Sequence, residues 1–143
     1  MELRRITEDN YEACLELKAT VENQDFVDPV VYSLAEAFVF YDDSEVFAIY
    51  QEEELVGFVS MYTGEGRPQI INFLIDDSFQ NRGYGTTAAK LCIDYLRENY
   101  NANIISAPVQ VEHNAAQNFW KKLGFSLSDT VENGYIFMRL KLS

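Results

Sequence analysis

Gln80-Asn81-Arg82-Gly83-Tyr84-Gly85-Thr86-Thr87 decides the reading of this chain. The stretch follows an apolar run, Gln69 to Ile75, and opens a longer one in which Ala88, Leu91, Cys92, Tyr95 and Leu96 recur at the helical period. The order is strand, glycine loop, helix. Glycines at those places let backbone N–H groups of the loop and of the helix N-terminus converge on an anion, and phosphate is the anion such an arrangement suits. A dinucleotide site would need GxGxxG early in a βαβ repeat with an acid about 20 residues later, and a triphosphate loop would need GxxxxGK[ST]. Neither pattern is present, so the phosphate belongs to another compound.

Upstream, Leu3 to Ile6 reads as a short strand, and Thr7-Glu8-Asp9 leads into a helix carrying Tyr11, Cys14, Leu15 and Leu17. Asn23 to Pro29 is polar and turn-like. Val30 to Phe40 reads as a second amphipathic helix with Val31, Leu34, Ala35 and Phe38 inward. Val46 to Tyr50 and Leu55 to Tyr62 are β-prone runs about the charged turn Gln51-Glu52-Glu53-Glu54, which predicts a hairpin. Its second run is apolar on both faces, as a strand covered on two sides must be. Downstream, Asn103 to Val111 predicts a fifth strand, and Asn114 with Gln117 resembles a capping pair before a short helix carrying Ala116, Phe119, Trp120 and Leu123. Gly124 is the expected stop of that helix. Ser126 to Leu142 predicts a hairpin about Asn133-Gly134.

With 143 residues and 48% apolar content, the chain can bury one continuous core, which predicts a single domain over 1–143. Its formal charge of −12, from 23 acidic against 11 basic residues, argues against a nucleic-acid partner and favours a cationic one. Between Lys18 and Arg67 there is no positive side chain, while Glu22, Asp25, Asp28, Glu36, Glu45 and further acids fall in the interval. Cys14 and Cys92 form no CxxC pair and sit at apolar positions of helical patterns, so reduced core thiols and a cytoplasmic location are expected. MELRRITEDNYE lacks the apolar run of a signal peptide, and no segment reaches the roughly 18 apolar residues of a membrane span, so no membrane partner is expected. His113 is the only histidine, which argues against a metal centre built on several of them; no metal is expected.

Taken with its flanks, Gln80 to Gly85 resembles the central motif of the GNAT superfamily of N-acetyltransferases, whose pyrophosphate loop reads Gln/Arg-x-x-Gly-x-Gly/Ala after an apolar strand. Ile70 to Ile75 with Asp76-Asp77 after it, and the helix stop Asn118-Phe119-Trp120-Lys121-Lys122-Leu123-Gly124-Phe125, fit the same family. The resemblance implies an α/β (α+β) fold, a mixed and mostly antiparallel sheet of about seven strands flanked by four helices, with acetyl-CoA as co-substrate. It implies that Gln80, Asn81, Arg82, Gly83, Tyr84, Gly85 and Thr86 hold the pyrophosphate, and that the pantetheine arm bonds to backbone at Phe73 and Ile75. A bulge in that strand would turn the N–H of Leu74 or Ile75 toward the thioester carbonyl, where it stabilises the oxyanion. Pro108 fits a place where neighbouring strands part to admit the cofactor, or simply an edge strand. By position, either His113 or Asn114 would meet the cofactor.

The chain also departs from the family pattern. Many relatives place a tyrosine where Trp120 stands, and an indole N–H donates a hydrogen bond but is too weak an acid to protonate a thiolate. Trp120 is therefore a cofactor-side candidate or a core residue. An alkylamine with a pKa of about 10.4 must lose a proton before it attacks, yet Ile71 and Asn72 stand where some polyamine acetylases carry a strand carboxylate. Asp76, Glu112 and Glu22 remain as candidates, and the base is unassigned. In this family the N-terminal half builds the acceptor side, so Glu22, Asp25 and Asp28 would draw in a polycation, while Arg82, Lys90, Lys121 and Lys122 lie toward the coenzyme. Glu22-Asn23-Gln24 and the segment from Gly66 to Gln80 look similar to bacterial spermine and spermidine acetyltransferases. Three readings follow. The first is a polyamine acetyltransferase working by direct attack in a ternary complex, with Cys92 on the core pattern and poorly placed for an acyl-enzyme. The second is the same chemistry on a protein N-terminus, an amino acid or an antibiotic amine. The third is an acyl-CoA-binding regulatory module without turnover. Pairing of two copies through the C-terminal strands is compatible with each.

Overall fold

The acidic turn closes as expected: β2 (Ser44–Gln51) and β3 (Glu54–Tyr62) form an antiparallel hairpin, with Glu52 at a φ of 56°. In the computed structural model, which describes residues 1–142, Val56 to Met61 are buried without interruption, so β3 is covered on both faces. The remaining strands are β1 (Glu2–Arg4), β4 (Gln69–Ile75), β5 (Ile104–Gln110), β6 (Ser126–Glu132) and β7 (Tyr135–Lys141). The helices are α1 (Tyr11–Leu15), α2 (Val30–Val39), α3 (Tyr84–Tyr100) and α4 (Asn114–Lys122). One seven-stranded sheet runs in the order β1-β2-β3-β4-β5-β7-β6, antiparallel at each junction except the parallel β4–β5, among the described residues.

Two cores form on opposite faces of the sheet. Cys14 of α1 and Val30 of α2 pack with Ala48, Phe58 and Leu74 on one side. Ala88, Ala89, Cys92 and Leu96 of α3 pack with Val59, Ile70, Ile75 and Ile105 on the other, where Trp120 and Phe125 join them. Alternation along β3 and β4 feeds both cores from one strand.

The parting of β4 from β5 has a local cause. Gln69 pairs with Ser106, whose N–H donates to Pro68 O at 3.1 Å. Strand alternation brings the next N–H on that side at residue 108, which is a proline with nothing to donate. The parallel ladder stops there and the strands open, which is the first of the two roles expected for Pro108. At the far end, Gly124 at φ +101° ends α4, and Asn133 and Gly134, both at positive φ (52° and 82°), close the β6–β7 hairpin.

Three expectations need correction. The inner face of α2 carries Val30, Ser33 and, as expected, the half-buried Leu34, whereas Val31 (61% exposed) and Phe38 (81%) face solvent and Ala35 is exposed. The reason is polar: buried Asn72 donates from Nδ2 to Ser33 Oγ (2.9 Å) and to Asp28 O (3.0 Å), which fixes the serine edge of the helix against the sheet. Helix α1 ends at Leu15, so Leu17 lies beyond it. The cap of α4 is His113 rather than Asn114, and the Gln117 amide reaches back to Val111 O at 3.0 Å instead of completing a capping box.

Candidate active site

The gap between β4 and β5 opens into a cleft of about 670 Å³ bounded by α2, α4 and the start of α3. Asp76 N–H donates to Val56 O at 2.8 Å, so alternation aims the N–H groups of Leu74 and Asn72 at β3 and those of Phe73 and Ile75 at the β5 side. Beyond the Gln69–Ser106 pair no strand among the described residues takes up those groups, and they face the cleft. Of the two oxyanion candidates, the cleft-facing one is therefore Ile75. The expected bulge exists but sits earlier: the register shifts between Ser60 and Met61, opposite Asn72 and Ile70, which leaves Ile71 as the extra residue.

The loop is built by backbone conformation. Asn81 (φ 64°) and Gly83 (φ 77°) both adopt left-handed geometry, and Gly83 is the N-cap of the 17-residue α3. The first N–H groups of that helix have no carbonyl within it, and the helix dipole adds positive potential at the same place. Gln80 lines the cleft, but its Nε2 donates to Ile75 O at 2.7 Å, so it braces the loop onto the end of β4. Gly85 faces the cleft: a Cβ there would lie 3.4 Å from Phe119 and 3.9 Å from the Ile75 side chain. Asn81, Arg82, Gly83 and Thr86 are exposed, with the Arg82 guanidinium 5.3 Å from the Phe79 ring, and Tyr84 leans on Phe79.

On α4, Trp120 is 6% exposed and meets Phe73, Phe119 and Phe125 edge-on at 5.7, 5.0 and 5.0 Å. It is a packed wall of the cleft. His113 stacks on Phe26 at 4.3 Å, and its Nε2 lies 3.0 Å from Asn23 Oδ1. Burial lowers its pKa, so the neutral ring with Nε2–H donating fits. His113 thus ties α4 to the turn before α2. Asn114 does not line the cleft.

The acidic interval divides. Asp28 lines the cleft; Glu22 and Asp25 are exposed and do not, although Asp25 O accepts from Gln110 Nε2 at 3.5 Å. Glu36, beside Tyr32 on α2, also lines the cleft, and burial with the nearby Asp28 charge raises its pKa. The sequence reading missed Glu36 as a site residue because it turned α2 the wrong way; Ser33 beside a strand asparagine was the available signal. Glu132 and Tyr135 reach the cleft from the C-terminal hairpin, a long-range contact with no local signature. Of the base candidates, Asp76 spends its carboxylate on Lys18 N (2.8 Å) and Ser78 N (3.0 Å), and Glu22 and Glu112 are exposed outside the cleft. Glu45 belongs to the framework: burial would raise its pKa, but hydrogen bonds from Tyr100 (2.6 Å), Tyr95 and Arg5 (2.8 Å) hold it below the usual carboxylate value. Cys14 and Cys92 are free and buried, with burial pushing their thiols up to about 11 and about 12, so neither supplies a thiolate at neutral pH.

A strand gap with unpaired N–H groups, leading to a left-handed loop on a helix N-terminus, suits a long ligand with a thioester at one end and phosphate at the other. That is the cleft of an acyl-CoA transferase. The chain belongs to the acetyltransferase (GNAT) family, whose model matches residues 3–125, and is an acetyl-CoA-dependent N-acetyltransferase. The spermine/spermidine N(1)-acetyltransferase of Bacillus subtilis (strain 168) is 24% identical over 139 residues, covering 91% of this chain and 90% of its own. Two solved structures share the fold. A SpeG spermidine N-acetyltransferase chimera from Vibrio cholerae and hSSAT has a TM-score of 0.73 at 18% identity, over 98% of this chain and 94% of that one. PaiA N-acetyltransferase of Thermoplasma acidophilum in complex with coenzyme A has a TM-score of 0.71 at 13% identity, over 98% of both. Among the described residues no group of three or more metal-ligating side chains forms, and no helix is long and apolar enough to cross a membrane.

Proposed function

We propose that this enzyme acetylates a primary amine of a linear polyamine of the spermine or spermidine kind. The observation that carries the reading is the pair of carboxylates, Asp28 and Glu36, on the acceptor side of the cleft, near enough for Asp28 to raise Glu36. Two carboxylates that repel one another are relieved by a multiply charged cation, and Tyr32 between them in sequence adds an apolar surface for the methylenes. The activity named for the Bacillus subtilis relative supports the same acceptor.

On the donor side, the thioester supplies an activated acyl carbon. In this reading Ile75 N–H donates to its carbonyl oxygen, Phe73 and Ile75 take the pantetheine amides, and the loop from Gln80 to Thr86 takes the pyrophosphate. Trp120 closes the cleft against water. With both thiols buried and protonated, the neutral amine attacks the acyl carbon directly; the C–S bond breaks, and coenzyme A leaves as the thiol with the proton that the nitrogen gives up. The free cysteines also support a cytoplasmic setting.

The test is thiol release from acetyl-CoA with spermine, spermidine, simple amino acids and short peptides. Polyamines are expected to turn over fastest, and Glu36→Gln or Asp28→Asn to raise the polyamine KM about 10-fold, the worth of one charge-assisted hydrogen bond. Turnover confined to peptides or amino acids would overturn the assignment.

A further inference from the structure

Beside the cleft lies a second cavity of about 170 Å³, lined by Ser33, Glu36 and Ala37 of α2, by Ser60 and Tyr62 of β3, and by Ile71. Glu36 and Ile71 line both spaces, so they form the shared wall. Ile71 is the bulged residue of β4, and a bulge re-aims the side chain it carries.

Ser60 is the anomaly. It is 6% exposed, and its Oγ has no hydrogen-bond partner among the described residues. Asn72, its cross-strand neighbour, spends both Nδ2 hydrogens on Ser33 Oγ and Asp28 O. A buried hydroxyl left unpaired in a cavity that also holds a carboxylate is a place for a donor to arrive. Ala37, Phe40, Met61 and Ile71 give the cavity its apolar lining, beside the hydroxyl-bearing Ser33, Ser44 and Tyr62. Apolar walls around a carboxylate and a hydroxyl match an alkylammonium, which buries a methylene stem and donates three hydrogens from its head. Taking about 30 Å³ per water-sized unit, the cavity holds about five to six such units, enough for the heavy atoms of an aminopropyl or aminobutyl end.

We propose that this cavity is a subsite for the far, non-reacting aminoalkyl end of the acceptor, with the Glu36 carboxylate and the Ser60 hydroxyl as its ammonium ligands. The inference rests on the polyamine reading above and adds that the enzyme measures the spacing between nitrogens. Glu36 then stands where the acceptor chain turns from the cleft into the cavity.

The experiment compares kcat/KM for spermidine with that for n-butylamine, which has one nitrogen, in wild type, Ser60→Ala and Ala37→Met. The second variant fills the cavity with a good helix former. Wild type is expected to prefer spermidine, Ser60→Ala to lower the preference about 10-fold through KM, and Ala37→Met to lower it further. A merely structural serine would shift the melting temperature and leave the ratio where it was. Should Ala37→Met fail to fold, Ser60→Ala still decides. Wild type inert toward spermidine overturns the polyamine reading and the subsite together. Wild type active on spermidine, with the preference intact in the folded variants, overturns the subsite alone.

Discussion

The two walls of the cleft are made of different material. The wall formed by β4 and the start of α3 offers backbone: N–H groups of Phe73 and Ile75, a left-handed loop, and Gly85 where a side chain would intrude. The wall formed by α2 and the turn before it offers side chains, chiefly Asp28, Tyr32 and Glu36. Backbone groups are the same whatever the residue, so the first wall suits a ligand common to a whole family. Side chains change with a single substitution, so under the function proposed above the second is where acceptor choice can be altered without disturbing the donor.

The sharpest way to break this contrast is Gly85→Val. Gly85 lies in the first turn of α3 without a left-handed φ, so a β-branched residue is tolerated by the helix. Its added methyls would enter the cleft between Phe119 and Ile75. Turnover should fall about 100-fold or more, as for misplacement of a reacting group, while the thermal midpoint holds. Gly85→Ala, whose single Cβ makes ordinary contact, should stay close to wild type in a thiol-release assay. Full activity in the valine variant would mean that the donor does not lie against this wall.

The same contrast explains what was legible. The bounds of β4, the hairpin at Asn133-Gly134 and the strand–loop–helix order all follow from local chemistry: proline without a donor, glycine at positive φ, a strand of one period. The places of Gln80, Gly85 and Ile75 on the cleft and the left-handed φ of Gly83 were readable for that reason. Glu36 was not, because its position depends on how α2 is rotated, and that is fixed by Asn72 reaching Ser33 across 39 residues of sequence. Trp120 was readable as a departure from a pattern, but only packing against Phe73 and Phe125 assigns it to the wall.

His113 ties α4 to the second wall, and His113→Ala should be the middle effect. Losing the stack on Phe26 and the bond to Asn23 frees the turn that carries Asp28. The amine KM should rise about 10-fold, the sum of a modest aromatic contact and one hydrogen bond, with a smaller change in the KM for acetyl-CoA. An equal rise in both would assign the ring to the cofactor instead. The pH dependence follows in sign. Burial holds the folded pKa of His113 below its ordinary 6.5, so the unfolded chain takes up the proton first as pH falls. Stability from the neutral ring is present above 6.5 and lost progressively below it. The gap in urea midpoint between wild type and His113→Ala should therefore narrow between neutral pH and mildly acidic pH.

The smallest effect tests the rotation of α2 itself. Phe38 is 81% exposed and Phe58 on β3 is fully buried under the α1–α2 layer. If α2 presents Val30 and Ser33 inward, Phe38→Ala changes stability by no more than about 0.5 kcal/mol, whereas Phe58→Ala costs about 3–5 kcal/mol by emptying a core site. With Phe38 inward, as hydrophobic periodicity alone would have it, the two truncations would cost alike. Urea midpoints of the two variants separate these cases. The outcome reaches the chemistry, because Glu36 lies two positions before Phe38 on the same helix: a rotation that buried Phe38 would carry Glu36 away from the cleft and from the side cavity. A near-silent Phe38→Ala is thus the structural condition on which the acceptor wall depends.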